Sequence, residues 1–234
     1  MSIPSSPNDA ATARRNLRRL SIIEAAARLF AELGYNACEM ERVATEIGVA
    51  KGTVYLYFPG KQDLFFACVD LGMTQMQQAV LEAANKADGP FDRISLAIRA
   101  YLNFFDQHPQ YVELIIQERA IFKDRKRPTY FEYRDANVGV WRELYRSLIA
   151  SGHLRSDLPA ERILDTVGYL LYGTMFTNHF IGRAVTLDEQ HRSMLEIVFR
   201  GILSERERPQ VKICCPPTNG CGDSPATDIP RGSE

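Results

Sequence analysis

The feature that most constrains the fold is a helical repeat of apolar residues that runs through most of the chain. In residues 14–34, Leu20, Ile23, Ala27 and Phe30 recur at intervals of three and four, which places them on one face of a helix. Alternation of β-branched and polar residues, the usual signature of strands, is almost absent. Glycine and proline separate the helical segments. The predicted helices cover residues 14–34, 40–47, 51–58, 61–87, 91–107, 109–122, 128–151, 159–182 and 187–204.

Nine helices joined by short loops predict an all-α protein with two folded units. The short helices of residues 14–60 form an N-terminal three-helix head, and residues 61–204 form a helical body. Residues 1–13 are predicted to be a flexible N-terminal arm. Residues 205–234 hold five prolines and three glycines with almost no helical periodicity, so we predict a disordered tail there.

Charge and hydropathy exclude several classes of protein. The net charge of the 234 residues is −1, which excludes a uniformly basic nucleic-acid coat. Residues 1–62 nevertheless hold eight Lys/Arg against six Asp/Glu, and the remainder holds 20 against 23. No apolar stretch approaches the ~20 residues that span a bilayer, and the arginines near the N-terminus are not followed by the apolar run of a signal peptide. We therefore expect a soluble, cytoplasmic protein without membrane contact.

The segments 40–47 and 51–58, separated by Gly48-Val49-Ala50, fit a helix-turn-helix. The glycine allows a sharp turn, and apolar side chains such as Ile47 and Val54 can hold the two helices together. The outward face of the second helix then carries amine and hydroxyl groups beside the free backbone amides of its first turn. Such groups can reach DNA phosphates, or base edges in a major groove.

Residues 22–69 carry the pieces AAxxLFxxxGY and VAxxxGVxKGTxYxYFxxKxxLF in unbroken register. This stretch resembles the DNA-binding head of the TetR/AcrR family of bacterial transcriptional regulators. The resemblance implies a homodimer that places two helix-turn-helix heads on a palindromic double-stranded DNA operator. It also implies a ligand pocket in the C-terminal body, and a repressor that a small apolar or amphipathic molecule releases from DNA.

The resemblance assigns roles to single residues of the head. Lys51 and Gly52 match a pair at a helix start that touches phosphate. Thr53 matches a position that reads either a base or a phosphate. Lys61 matches a lysine that contacts the DNA backbone from the start of the fourth helix.

Three further residues complete the predicted DNA-binding surface. Tyr55 and Tyr57 match aromatic positions that face the groove, and a packing role within the head is the competing interpretation for Tyr55. Arg42 faces out of the second helix, where a phosphate contact and a plain surface role are both open.

The head departs from the family pattern at three positions. Cys38 and Glu39 stand where Thr or Ser often caps the second helix and touches phosphate. The charge of Glu39 still favours a helix N-terminus but repels phosphate. Ala50 stands where Ser is common, which removes one hydroxyl. These departures argue against DNA contacts from positions 38, 39 and 50.

The body is rich in aromatic residues, more than close packing of a core requires. Such a surplus is compatible with an apolar cavity lined by a few polar groups. For each candidate, a place in the core without ligand contact is the competing interpretation. The pocket candidates are Trp141, Tyr145, Tyr172, Met175, Phe176 and His179.

The last two predicted helices carry apolar residues on more than one side, which predicts that they form the dimer interface. In 159–182, Leu170 and Leu171 widen the apolar surface, and Gly168 and Gly173 permit close helix approach. In 187–204 the residues assigned to this interface are Met194, Leu195, Val198, Phe199 and Ile202.

Five cysteines, an odd number, do not match a secreted disulfide framework. Cys214, Cys215 and Cys221 form C-C-x5-C in the predicted tail and could bind a soft metal or respond to oxidants. This makes a metal- or redox-responsive regulator the alternative. No Walker loop, dinucleotide fingerprint, nucleophile elbow or HExxH occurs, so we predict neither an enzyme nor a bound cofactor. A helical dimer that does not bind DNA is the remaining alternative.

Overall fold

The computed structural model describes the backbone of residues 7–203 and the side chains from Ala10 onward. Within this range the chain forms nine helices and no strand, and Leu154 and Leu203 form an isolated bridge. The predicted all-α fold is confirmed. The helices are α1 (Pro7–Ala37), α2 (Met40–Glu46), α3 (Lys51–Tyr55), α4 (Lys61–Ala84), α5 (Pro90–Gln107), α6 (Pro109–Ile121), α7 (Thr129–Ala150), α8 (Ala160–Ile181) and α9 (Leu187–Ile202).

The largest difference from the predicted helix boundaries lies in α1. This helix begins at Pro7 and takes in residues 7–13 of the segment predicted to be a flexible arm. Three of these seven residues are alanines, which favour helix without any burial. At the other end, Gly34 has φ +79° and ψ 154°, so the regular helix breaks at the glycine where the sequence predicted its end.

The head packs α1, α2 and α3 around side chains that include Phe30, Val43, Val54 and Phe58, all buried. The turn between α2 and α3 is closed by Val49 N–H, which donates to the carbonyl of Ala44 at 2.9 Å. The first half of α4 completes this core, because Leu64, Phe65, Cys68 and Val69 are also buried in it.

The second half of α4 belongs to the body, where α4 packs against α5, α6 and α7. The approach of α4 to α6 is so close that a Cβ at Gly72 would overlap the ring of Tyr111. One continuous helix therefore joins the head to the body, and Gly72 permits its close approach to α6.

The prediction that α9 contributes its apolar stripe to a dimer interface is wrong. The five residues assigned to that interface are all buried within this chain, and α9 packs against α5. The single apolar stripe of α9 is thus buried within the helical body of the same chain. Large apolar side chains exposed on α8, α9 and their connection are Tyr169, Leu170, Phe180, Ile181, Val185 and Ile197.

Among the described helices, none combines the length and apolar character needed to cross a bilayer.

Candidate DNA-binding and ligand-binding sites

The outward surface of α3 presents the residues that the sequence assigned to DNA. Lys51 and Gly52 are exposed at its first turn, Tyr55 is 44% exposed, and Thr53 is half-buried. The helix is anchored from beneath by Val54, which is fully buried. This pattern follows from helical geometry, since a short helix that buries Val54 turns the residues on its opposite side outward.

Tyr57 is half-buried and lines a surface hollow together with Arg14, Arg15 and Arg18 of α1. Next to it, Leu56 is 78% exposed at the end of α3. Neither Leu56 nor these arginines belong to the site predicted from the sequence. The sequence does carry a signal for the arginines, because four of them occur within residues 14–19.

The two lysines assigned to phosphates lie beside glutamates. Lys51 Nζ is 3.5 Å from Glu41 Oε2. Lys61 Nζ is 3.8 Å from Glu39 Oε1, donates to the carbonyl of Asn36 at 3.1 Å, and lies 5.0 Å above the ring of Tyr35. A phosphate must therefore compete with a carboxylate at each lysine.

Positions 38, 42 and 50 differ in their exposure. Cys38 is fully buried under the start of α2, and burial raises the pKa of its thiol. Arg42 is exposed on α2, and Ala50 is exposed at the start of α3 without a capping side chain. Cys38 is thus a core residue, whereas Arg42 remains on the surface that carries α3.

A buried glutamine of α6 ties the head to the body at the break in α1. Gln117 Nε2 donates to the carbonyl of Phe30 at 2.8 Å, and its Oε1 accepts from the backbone N–H of Tyr35 at 2.9 Å. These two backbone groups flank Gly34, where regular helical hydrogen bonding stops. One side chain of the body therefore takes the place of hydrogen bonds that the head's own helix cannot make.

The same glutamine connects to α8 through a carboxylate. Gln117 Nε2 lies 3.1 Å from Glu113 Oε1, and Glu113 Oε2 lies 3.3 Å from His179 Nε2. His179 in turn lines a cavity of about 170 Å³ with Met175, and this is called the small cavity below. A continuous chain of polar contacts thus runs from α8 to the backbone of α1.

A second cavity, of about 210 Å³, lies in the body between α4, α5, α7 and α8 and is called the large cavity below. Its wall is mostly apolar, with Met76 and Val80 from α4 and Ile98 from α5. Trp141 and Tyr145 line it from α7. Polar side chains in the wall include Arg134, which pairs with Asp165, and Asn137, which contacts Gln77.

Two buried tyrosines stand between the two cavities. Tyr101 lines both cavities, and its hydroxyl lies 2.9 Å from that of Tyr130 and 3.6 Å from Met175 Sδ. Burial raises the pKa of Tyr130 to about 12 and that of Tyr101 well above its usual value, so both phenols are neutral.

The six predicted pocket residues are therefore divided among different places. Trp141 and Tyr145 line the large cavity, and Met175 and His179 line the small one. Tyr172 lines a third hollow, beside Ile115 and Phe131. Phe176 packs between the rings of Tyr172 and Phe180 and lines none of these three spaces.

The cysteines predicted as a metal or redox site, Cys214, Cys215 and Cys221, lie outside the described residues.

Comparison with known proteins agrees with this architecture. Residues 22–68 match the family model for bacterial regulatory proteins of the tetR family. The chain is 27% identical over 118 residues to the uncharacterized HTH-type transcriptional regulator YerO of Bacillus subtilis, covering 50% of this chain and 41% of YerO. It is 23% identical over 194 residues to the HTH-type transcriptional repressor KstR2 of Mycobacterium tuberculosis, covering 81% and 95%.

A solved structure extends the likeness to the body. The transcriptional regulator FadR from Bacillus subtilis, in complex with stearoyl-CoA, superposes with a TM-score of 0.63 at 20% identity, covering 78% of this chain and 98% of FadR. By contrast, the sequence matches to YerO and three further curated regulators span only 34–53% of those proteins' length. The fold defines a helix-turn-helix protein with a cavity-bearing helical body. Its head, residues 22–68, matches the model of the tetR family of bacterial regulatory proteins.

Proposed function

We propose that this protein is a ligand-responsive transcriptional regulator that binds a palindromic operator as a homodimer and acts as a repressor. One observation carries the proposal: α4 starts at the DNA-facing surface with Lys61 and runs into the wall of the large cavity at Met76 and Val80. The rise between Lys61 and Met76 is about 22 Å along the helix. A ligand that moves α4 in the body therefore moves the head.

In this function α3 enters the major groove of DNA. Lys51, Gly52 and Lys61 bind phosphates and set the position of the head, and Thr53 and Tyr55 contact base edges. Tyr57 and the arginines of α1 extend the phosphate contacts beyond the helix-turn-helix. Arg42 contributes a further phosphate contact from α2.

Dimerisation follows from the apolar surface that one chain leaves exposed. Phe180 is 65% exposed and Ile181 is 81% exposed at the end of α8, and Ile197 lies exposed on α9. Adjacent apolar residues of this size favour burial against a second copy, and a twofold arrangement places two heads on one operator. Phe180→Glu should yield a monomer in analytical ultracentrifugation.

The effector is proposed to be a small apolar or amphipathic molecule bound in the large cavity. The predominantly apolar wall with a few polar side chains supports this class. The neighbour FadR was solved with stearoyl-CoA, and KstR2 is described as a ketosteroid regulator. Both names point to ligands with large apolar parts.

The test of the function is a gel-shift assay with the DNA flanking the protein's own gene, at several salt concentrations. A specific complex of two chains per palindrome supports the proposal, and indifference to palindromic DNA contradicts it. Replacing Cys214, Cys215 and Cys221 with serine distinguishes sensing through the tail from sensing in the large cavity. A sensor in the large cavity keeps its response to organic compounds in this variant.

A further inference from the structure

Tyr145, in the wall of the large cavity, has a hydroxyl with no hydrogen-bond partner among the described residues. Tyr145 is only 2% exposed and lines this cavity from α7. Within the described residues its hydroxyl makes no hydrogen bond, and burial alone raises the pKa of the phenol. The group is therefore a neutral hydrogen-bond donor without an acceptor.

The other two buried tyrosines of this cavity are different. The hydroxyls of Tyr101 and Tyr130 are hydrogen-bonded to each other at 2.9 Å. A buried polar group without a partner lowers stability, and for this reason such groups are rare in folded proteins. Phenylalanine would fill the same space as Tyr145 without this penalty, so packing alone does not account for the hydroxyl.

The surroundings of Tyr145 favour a neutral partner. The cationic residue of the cavity wall, Arg134, lies eleven residues earlier on α7, about 16 Å away along the helix. Its guanidinium is engaged by Asp165. An anionic group next to Tyr145 would lose its hydration without gaining a cation, whereas a carbonyl, ether or hydroxyl oxygen needs only one donor.

We propose that Tyr145 donates a hydrogen bond to a neutral oxygen of the effector and thereby selects apolar molecules that carry such an oxygen at the buried end. The inference rests on the proposed function, since it takes the large cavity to be the effector site. It adds the chemical class that the cavity prefers: a ketone, ether or alcohol over a pure hydrocarbon of the same shape.

The chain supplies its own probe for binding. Trp141 is the single tryptophan of the sequence and lines the same cavity, so its fluorescence reports occupancy without DNA. The probes are cyclooctanone and cyclooctane, which have the same ring size and differ in one carbonyl oxygen. Each is titrated into the full-length wild type and into Tyr145→Phe.

We expect Tyr145→Phe to weaken cyclooctanone binding about five- to tenfold, the range of one net hydrogen bond, and to change cyclooctane binding less than twofold. An equal change for both probes overturns the proposal, as does the absence of any change. Failure of both probes to alter Trp141 fluorescence or the melting temperature of the wild type also overturns it.

A stability measurement tests the unsatisfied hydroxyl without any ligand. Tyr130→Phe is the matched control, because it removes a buried hydroxyl of the same cavity that does have a partner. We expect the control to lower the melting temperature and Tyr145→Phe to leave it unchanged or raise it. A loss in Tyr145→Phe as large as in the control overturns the proposal, since the hydroxyl would then have a structural partner.

The outcome for Tyr145 can be distinguished from the outcome for the proposed regulator function. If the wild type binds cyclooctanone through Tyr145 but does not bind operator DNA in the gel shift, the inference holds and the regulator function fails. If operator binding occurs and the two proteins do not distinguish the probes, the inference fails and DNA binding stands.

Discussion

The predicted DNA-binding surface of the head and the wall of the large cavity are built in opposite ways. The predicted DNA-binding residues all lie between Arg42 and Lys61, and short local turns fix their positions. The cavity draws its wall from four helices, with residues from Met76 to Leu171. The head is thus a local structure carrying exposed charge, whereas the cavity exists only when distant segments pack correctly. Substitutions should affect the two regions in correspondingly different ways.

The strongest test of this contrast is at Gly72, where the body depends on one close approach. Gly72→Ala places a methyl group against the Tyr111 ring and should lower the free energy of unfolding by ~3 kcal/mol, the upper part of the range for overpacking. Gly139→Ala on α7 is the control, because open space surrounds that position. It should stabilise the protein by up to ~1 kcal/mol. Urea unfolding of both variants measures the difference, and equal effects would show that α4 and α6 have room to separate.

A second test breaks the connection between the two regions. Gln117→Leu leaves the carbonyl of Phe30 and the N–H of Tyr35 without their partner, which should cost ~2 kcal/mol. This loss of stability should be concentrated at the break in α1, so amide hydrogen exchange at Tyr35 should accelerate. Gln78→Leu, which removes an exposed contact to Glu82, is the control and should leave that exchange unchanged. Protection of Tyr35 in Gln117→Leu would contradict the assigned role.

A third test concerns the charge of the head. Lys51→Ala should weaken binding to all DNA sequences alike, by about five- to tenfold at moderate salt, and reduce the slope against log salt by about one. Thr53→Ala should instead change the sequence preference. The control is Lys86→Ala, an exposed lysine of the body. A change of preference in Lys51→Ala without loss of overall affinity would mean that Lys51 contacts a base.

The contrast also explains how much the sequence could predict. The head repeats a family pattern in contiguous residues, so its helices and its exposed face could be predicted by position. Even there, the family pattern marks Cys38 as a missing capping residue, whereas it is a core residue. The exposure of Leu56 depends on where α3 ends, and the motif does not encode this.

The cavity could be predicted only as a surplus of aromatic residues. Helical periodicity places Trp141, Tyr145, Tyr172 and His179 on inward faces but does not tell which packed side chain leaves space beside it. That depends on the crossing of α7 and α8 with α4 and α5, which sets Trp141 in one cavity and His179 in another. The stripe on α9 failed as a predictor of the dimer interface for the same reason, because α5 covers it.

The smallest expected effect is on DNA affinity, when the glutamates beside the two lysines of the head are replaced. Glu41→Gln removes the carboxylate 3.5 Å from Lys51 Nζ, both exposed, so the pair contributes little to stability. Its removal frees the lysine for phosphate and should raise DNA affinity about two- to threefold, within the ~0–1 kcal/mol range of exposed ion pairs. Glu82→Gln in the body changes the net charge equally and serves as the control.

Glu39→Gln should act more weakly than Glu41→Gln, because Lys61 keeps its contacts with the Asn36 carbonyl and the Tyr35 ring. If Glu41→Gln binds DNA no better than Glu82→Gln, the ion pair does not compete with phosphate, and the glutamate must turn away from Lys51 when DNA binds.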